Sequence, residues 1–370
     1  MEAPPMGAPL RRCALLAALL LLPPTTEPRQ LNRHIDWTRN GANRDPYYQP
    51  PAVFYSNATA TTPAALVAYS AALGADALQV DAMNEFGYAS WLSEVPGQPI
   101  YPVLERLKLD WIGAMRDALR ARGMGLYIYL PLAYNQHWAD THNGSTYQNW
   151  VTSVCFNDRG YLDLYLNLTH ELLRRYQPDG FRFDGFSQQH VPWVCRTAGD
   201  QDYYRTLYGE EMPLVFNDTN WRRGYDFGRA TMTRFLTEIR RAALAEQPTV
   251  MTWANTFTPN FAANDIYVDW SLGHNVTDVG FVEDATDSAY SQYAFLVQLG
   301  RGFQAFRGFV SGQWCGFDVK QQQRRLRGTA AGPAIATTSH LAVALGGNMY
   351  NYIEYYNKSA GLPTEPKACW

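Results

Sequence analysis

The chain has 370 residues, of which 46% are hydrophobic and 18% charged, with a formal net charge of -3. That balance describes a globular chain long enough for one large barrel or two smaller domains. It gives no electrostatic reason to expect a polyanion as partner, so nucleic acid is not expected. Aromatic content is 14%, with 24 Tyr and 11 Trp, which suits either a large core or stacking against the apolar faces of sugars.

Arg11 and Arg12 precede an apolar run from Cys13 to Leu22, which Pro23 and Pro24 end. The run is too short to span a bilayer. Residues 1–24 are therefore expected to be a secretory signal peptide, with no membrane span after its removal. Loss of Cys13 leaves Cys155, Cys195, Cys315 and Cys369, which could form two disulfides in any of three pairings. None of them has the close spacing of a zinc site, and neither a metal nor a cofactor is expected. Six Asn-x-Ser/Thr sequons, at Asn57, Asn143, Asn167, Asn217, Asn275 and Asn357, agree with passage through a secretory lumen, whether to the outside or to a lysosome-like compartment.

After a polar, Pro-rich opening through Pro51, a short apolar strand, a polar loop and an amphipathic helix recur. The first strand is expected at 53–55 and the first helix at 63–73, stopped by Gly74. A second strand at 77–80 leads to a helix at 102–122, whose Leu104, Leu107, Trp111, Met115 and Leu119 make one apolar stripe. Gly123 is its expected C-cap. A third strand, 125–130, opens a long polar and aromatic loop through Asn149. A third helix follows at 160–176, striped by Leu164, Leu168 and Leu172, and a fourth strand at 180–183. Later strands are expected at 249–253, 266–269, 279–282 and 348–353, with helices at 229–246 and 288–299.

Repeated βα units imply parallel strands, and seven or eight of them fit a (β/α)8 TIM barrel over residues 30–356, with 357–370 as a tail. A doubly wound nucleotide-binding fold ranks second, because no Gly-x-Gly-x-x-Gly or Walker loop opens any of the helices. Functional groups of such a barrel lie at the C-terminal ends of its strands. The polar residues there are Asp81 and Glu85; Tyr134, Asn135 and His137; Asp184; and Asn255, Asp269, Glu283 and Asp284. A ring rich in carboxylates points to acid/base chemistry rather than to a metal or a thiol.

Asp184 is the sharpest candidate. It ends Pro178-Asp179-Gly180-Phe181-Arg182-Phe183-Asp184-Gly185-Phe186, where an apolar strand delivers one carboxylate to a Gly-bearing loop. Strand alternation places Arg182 on the same side, close enough to favour the charged carboxylate. The competing account is a structural Asp–Arg pair closing the barrel.

This segment, with the helix before it, resembles the stretch of the α-L-fucosidases in which a helix ends, a strand follows and a nucleophilic Asp precedes Gly. Asp184 matches that nucleophile. Residues 123–129 and 73–80 resemble the family's third and second strands, so the likeness covers roughly 64–185. It implies a retaining glycoside hydrolase with a carbohydrate substrate. Where the family carries two His after its second strand, this chain has Met83-Asn84-Glu85-Phe86-Gly87, and no room remains for the family's β-sandwich. Asn84 and Glu85 are carried as sugar contacts at those positions.

No motif transfers the family's acid/base residue. Glu283 is chosen because it follows an apolar strand, against the alternative of a solvated carboxylate beside Asp284 and Asp287; Asp269 is the second choice. Asn135, His137 and Trp138 could line the sugar subsite on the third loop, with loop packing as their competing account. The Gly-Phe-Arg-x-Asp run is also similar to the fourth strand of α-amylases, making an α-glucan-active barrel an alternative. A secreted carbohydrate-binding barrel that has lost catalysis is another.

Overall fold

A computed structural model describes residues 34–38, 62–72, 75–84, 86–142, 146–148, 152–184, 195–217, 219–257, 276–283, 308–311, 348–353, 356–357 and 362–363. The backbone divides into Met1–Leu31 and Asn32–Trp370. The expected signal peptide lies in the first unit and outside the described residues.

Eight strands form one all-parallel sheet: β1 (His34–Thr38), β2 (Ala77–Asp81), β3 (Gly125–Pro131), β6 (Gly180–Asp184), β7 (Met251–Phe257), β8 (Val279–Glu283), β9 (Gly308–Ser311) and β10 (Asn348–Ile353). β1 pairs with β2 on one side, Ile35 opposite Ala77, and with β10 on the other, His34 opposite Met349. The sheet therefore closes into a ring without an unpaired edge. Parallel neighbours need crossovers, and the described ones are helical. They comprise α1 (Pro63–Ala72); α2 (Pro102–Leu107) and α3 (Trp111–Arg120); α4 (Gln136–Thr141) and α5 (Arg159–Tyr176); and α6 (Ala198–Tyr208) and α7 (Trp221–Glu246). The result is an α/β fold built on a parallel sheet. Two antiparallel pairs stand apart: β4 (Thr146–Gln148) with β5 (Thr152–Val154), and β11 (Tyr356–Asn357) with β12 (Leu362–Pro363).

Alternate positions of the strands face the helices. Leu78, Val80, Leu126, Ile128, Leu130, Phe181 and Phe183 are buried in one cluster with Trp111, Met115 and Leu119 of α3, Tyr165, Leu168 and Leu172 of α5, and Phe235, Leu236 and Ile239 of α7. Burying each such side chain contributes about 1.5–3 kcal/mol before the entropy of ordering it. Gly180 is dictated by its neighbours: a Cβ there would lie 2.7 Å from the Met251 carbonyl oxygen and 2.8 Å from the Tyr127 ring.

The structure corrects several boundaries. The first strand of the ring is His34–Thr38, inside the Pro-rich opening, while the expected 53–55 lies outside the described residues. The single helix expected at 102–122 is two. Lys108 adopts a left-handed φ of 53°, and the Asp110 side chain caps α3 by accepting from the Gly113 N–H at 2.9 Å. That break rotates Leu107 off the stripe and leaves it 37% exposed, whereas Leu104, Trp111, Met115 and Leu119 stay buried. Gly123 takes the expected left-handed φ, +66°, just after α3. The helix expected at 229–246 begins earlier, at Trp221, and α6 and β9 have no counterpart in the sequence reading. The expected strand 266–269 and helix 288–299 lie outside the described residues.

Cys155, just after β5, and Cys195, just before α6, are joined in a disulfide; Cys315 and Cys369 lie outside the described residues. Among the described residues no helix is long and apolar enough to cross a membrane.

Candidate functional site

Every strand of a parallel ring ends on the same rim, so β2 brings Asp81, β6 brings Asp184 and β8 brings Glu283 to one edge of the sheet. On the face opposite the helices, the strands carry a polar layer in place of an apolar one. Gln79 lies opposite Tyr127, Asp81 opposite Tyr129, and Tyr129 opposite Arg182. All five are buried. Burying so many polar groups is costly unless they satisfy one another.

Asp184 sits at the outer end of this layer with its side chain 20% exposed. The Tyr129 hydroxyl donates to its Oδ2 at 2.9 Å. The Arg182 guanidinium, 1% exposed, reaches to 4.0 Å of the same oxygen, an electrostatic rather than a hydrogen-bonded distance. It also lies 5.4 Å from the centroid of the Tyr129 ring. One tyrosine thus supplies a hydrogen bond to the carboxylate and an electron-rich face to the cation beside it. Arg182 and Asp184 do share a side, as strand alternation requires. Tyr129 escaped the sequence reading because an aromatic inside an apolar strand looks like core. Its parity with Asp81 and Arg182 was the available signal.

The loops after β2 and β3 are fastened to each other and to α5. Asn84 donates from Nδ2 to the Tyr101 hydroxyl at 2.6 Å and accepts the Tyr88 N–H at 2.9 Å. Asn135 caps α4 by accepting the Trp138 N–H at 2.9 Å. Gly87, at a φ of +86°, lies so close that a Cβ there would be 2.2 Å from Asn135 Oδ1. His137 donates its backbone N–H to the Phe86 carbonyl at 3.0 Å. Trp138 is buried, with the His142 imidazole stacked on it at 3.5 Å and Tyr161 at its edge. Asn84, Asn135 and Trp138 therefore shape the loops beside the rim, and Trp138 packs into the fold where a sugar-stacking platform was expected. His137 is partly exposed.

Glu171 of α5 anchors this apparatus from behind. Its carboxylate accepts from Trp91 Nε1 at 3.0 Å, the Ser93 hydroxyl at 2.7 Å, the Glu94 N–H at 2.8 Å and Arg175 Nη1 at 2.8 Å. Burial pushes its pKa up, but the bonds from Ser93, Glu94, Trp91 and Arg175 outweigh that and hold it below the ordinary carboxylate value. Arg175 also pairs with Asp110 at 3.0 Å, tying α5 to the cap of α3.

Glu283 is the last residue of β8, register-paired with Phe257. Counting across β7 from the Phe183–Ala254 pair gives position 283 the same parity as 184. Glu85 and Asp269 lie outside the described residues. Among the described residues, the one grouping with metal-ligand atoms is Cys155, Cys195 and Asp200. Its two sulfurs are bonded to each other and so offer no thiolate.

The fold has counterparts among solved structures. An α-L-fucosidase isoenzyme 2 from Paenibacillus thiaminolyticus superposes with a TM-score of 0.61 at 17% identity, covering 88% of this chain and 46% of that one. A bacterial fucosidase solved with an inhibitor gives 0.53 at 14% identity, over 92% of this chain and 71% of the other. A β-galactosidase from the psychrophilic Marinomonas ef1 gives 0.55 at 10% identity, over 88% and 54%. This chain thus spans about half the length of the Paenibacillus and Marinomonas enzymes. No family model and no curated protein matches the sequence. The chain shares its fold with α-L-fucosidases, and at these identities the likeness carries the fold alone.

Proposed function

We propose that the chain is a secreted glycoside hydrolase on a complete (β/α)8 barrel, with Asp184 as the nucleophile of a retaining, α-L-fucosidase-like reaction. The observation that carries this reading is the Asp184 carboxylate itself. It lies partly open at the rim, oriented by the Tyr129 hydroxyl and faced by the buried Arg182, on a fold shared with fucosidases. A polar layer under a solvent-reachable carboxylate is costly for a purely structural sheet and suits one that must hold a reactive group in a fixed direction.

In the proposed chemistry, an Asp184 oxygen attacks the anomeric carbon as the bond to the leaving oxygen breaks. Glu283 gives that oxygen its proton. Water, losing a proton to Glu283, then attacks the same carbon and releases Asp184. Tyr129 keeps the attacking carboxylate in its rotamer, and Arg182 offsets the charge of the resting carboxylate. Loops carrying Asn84, Glu85, Asn135 and His137, with Asp269 as a further contact, would receive the sugar, and a carbohydrate is the proposed partner.

The test is release of nitrophenol from a panel of aryl α- and β-glycosides, the α-L-fucoside among them, by wild type and Asp184→Asn. Turnover of one substrate, lowered on the order of ten-thousand-fold by the substitution, is the expected result. Equal turnover by the two proteins would remove Asp184 from the chemistry. Turnover of α-glucosides alone would favour an α-amylase-like specificity. No turnover together with retained glycan binding would identify a carbohydrate-binding barrel.

A further inference from the structure

The connection between α6 and α7, with the first residue of α7, carries exposed apolar side chains, and the Arg222 guanidinium lies 5.5 Å from the Trp221 ring centroid. Leu214 is 89% exposed, Val215 65% and Trp221 42%, the largest exposures among the described large hydrophobic residues. A patch of this kind on a soluble surface calls for something to lie on it.

The same connection holds the sequon Asn217-Asp218-Thr219. Its turn is built rather than slack. Phe216 is buried with Tyr204, Met212 and Phe227. The Asn220 side chain accepts the Asn217 N–H at 2.6 Å and donates to the Val215 carbonyl at 3.3 Å, drawing the Val215 and Trp221 ends of the turn together. At its tip Asn217 and Thr219 are both exposed. Asn217 Oδ1 accepts the Thr219 N–H at 2.9 Å and the Thr219 hydroxyl at 2.6 Å. Asn217 Nδ2, the atom to which an N-linked glycan is joined, makes no hydrogen bond among the described residues. The sequon at Asn167 differs: it lies within α5, where the Thr169 side chain that completes it is buried in the helix face.

From these observations we infer that Asn217 is a glycan attachment site and that its first sugars cover Leu214, Val215 and Trp221. Attachment joins Asn217 Nδ2 to the anomeric carbon of a polyprenyl-diphosphate-linked oligosaccharide. The C–N bond forms as the C–O bond to phosphate breaks; the amide loses a proton and the lipid diphosphate leaves. Apolar sugar faces and acetamide methyls then meet the Trp221 indole and the two aliphatic side chains, while hydroxyls face water. The inference rests on the secretory reading and is independent of the hydrolase chemistry.

The experiment expresses the full chain, with its own N-terminus, in a eukaryotic cell and collects medium and lysate. Peptides are mapped after enzymatic glycan release in heavy-oxygen water, which marks each formerly glycosylated asparagine. The 217 peptide is expected to carry the mark. Asn217→Gln and Thr219→Ala should each lose one glycan step in intact mass, while Thr219→Ser, which keeps the hydroxyl, should retain it. Native enzymatic deglycosylation of the unsubstituted protein should raise binding of an apolar dye, and Trp221→Ser should cancel the rise. Marks at other sequons with an unmarked 217 peptide would overturn the inference and leave secretion standing. Unmarked peptides throughout would overturn both. A marked 217 peptide with unchanged dye binding would overturn the covering role.

Discussion

Glu171 and Asp184 are carboxylates set close to the same core, yet their surroundings differ in kind. Glu171 is 4% exposed and accepts from an indole, a hydroxyl, a backbone N–H and a guanidinium, which occupy both of its oxygens. Asp184 has a 20% exposed side chain, takes a hydroxyl on one oxygen and faces a guanidinium at 4.0 Å. A carboxylate with its lone pairs filled is a fastening, because any reaction would first have to break several charge-assisted bonds. One that is oriented and still reachable from solvent keeps the freedom to attack. Charge alone does not separate the two, since each has an arginine beside it; exposure does.

The comparison makes opposite demands on substitution. Asp184→Asn should abolish turnover with little change in thermal midpoint, the largest effect expected in the molecule. Glu171→Ala should do the reverse. Losing the common acceptor of Trp91, Ser93, Glu94 and Arg175 should cost about 3 kcal/mol of stability, read by denaturant unfolding. Any enzyme that survives should keep its kcat. If Glu171→Ala proved neutral to stability while Asp184→Asn unfolded the protein, the roles assigned to the two carboxylates would be exchanged. Tyr129→Phe lies between them. It keeps the ring near Arg182 and removes only the hydroxyl, so kcat should fall about tenfold with KM and thermal midpoint nearly unchanged. A rise in KM alone would make Tyr129 a sugar contact instead.

The smallest effect is on acid stability. Because the folded value of Glu171 lies below the ordinary carboxylate value of about 4.3, its contribution is complete above that value. It is lost as pH falls through the lower folded value. The wild-type thermal midpoint should accordingly decline below about pH 5, and Glu171→Gln should flatten that decline. Parallel curves for the two proteins would assign the acid sensitivity to other groups.

What could be read from the sequence followed the kind of signal each element carries. The strand ending at Asp184 was legible because Gly180, alternating apolar positions and a Gly-bearing loop all agree on it, and the Arg182–Asp184 side followed from alternation alone. β1 was misplaced because His34, Asp36 and Thr38 interrupt its apolar positions, so it carries no continuous apolar run. The split between α2 and α3 was hidden by a stripe that continues in sequence while Lys108 and Asp110 turn the backbone. Asn84, Asn135 and Trp138 are engaged with the protein itself, because a polar loop residue near a rim is as useful for fastening the loop as for meeting a ligand.

The Cys155–Cys195 bridge, which spans a sequence separation of 40, turns the intervening chain into a covalent ring. Helix α5 and strand β6 both lie within it, so Glu171 and Asp184 are members of one macrocycle. A protease that cuts once between β6 and Cys195 would open the ring without releasing either piece. Such a nicked molecule would run as one species on a non-reducing gel and as two after reduction. The two carboxylates would still be fastened, by sulfur, to the chain that follows them.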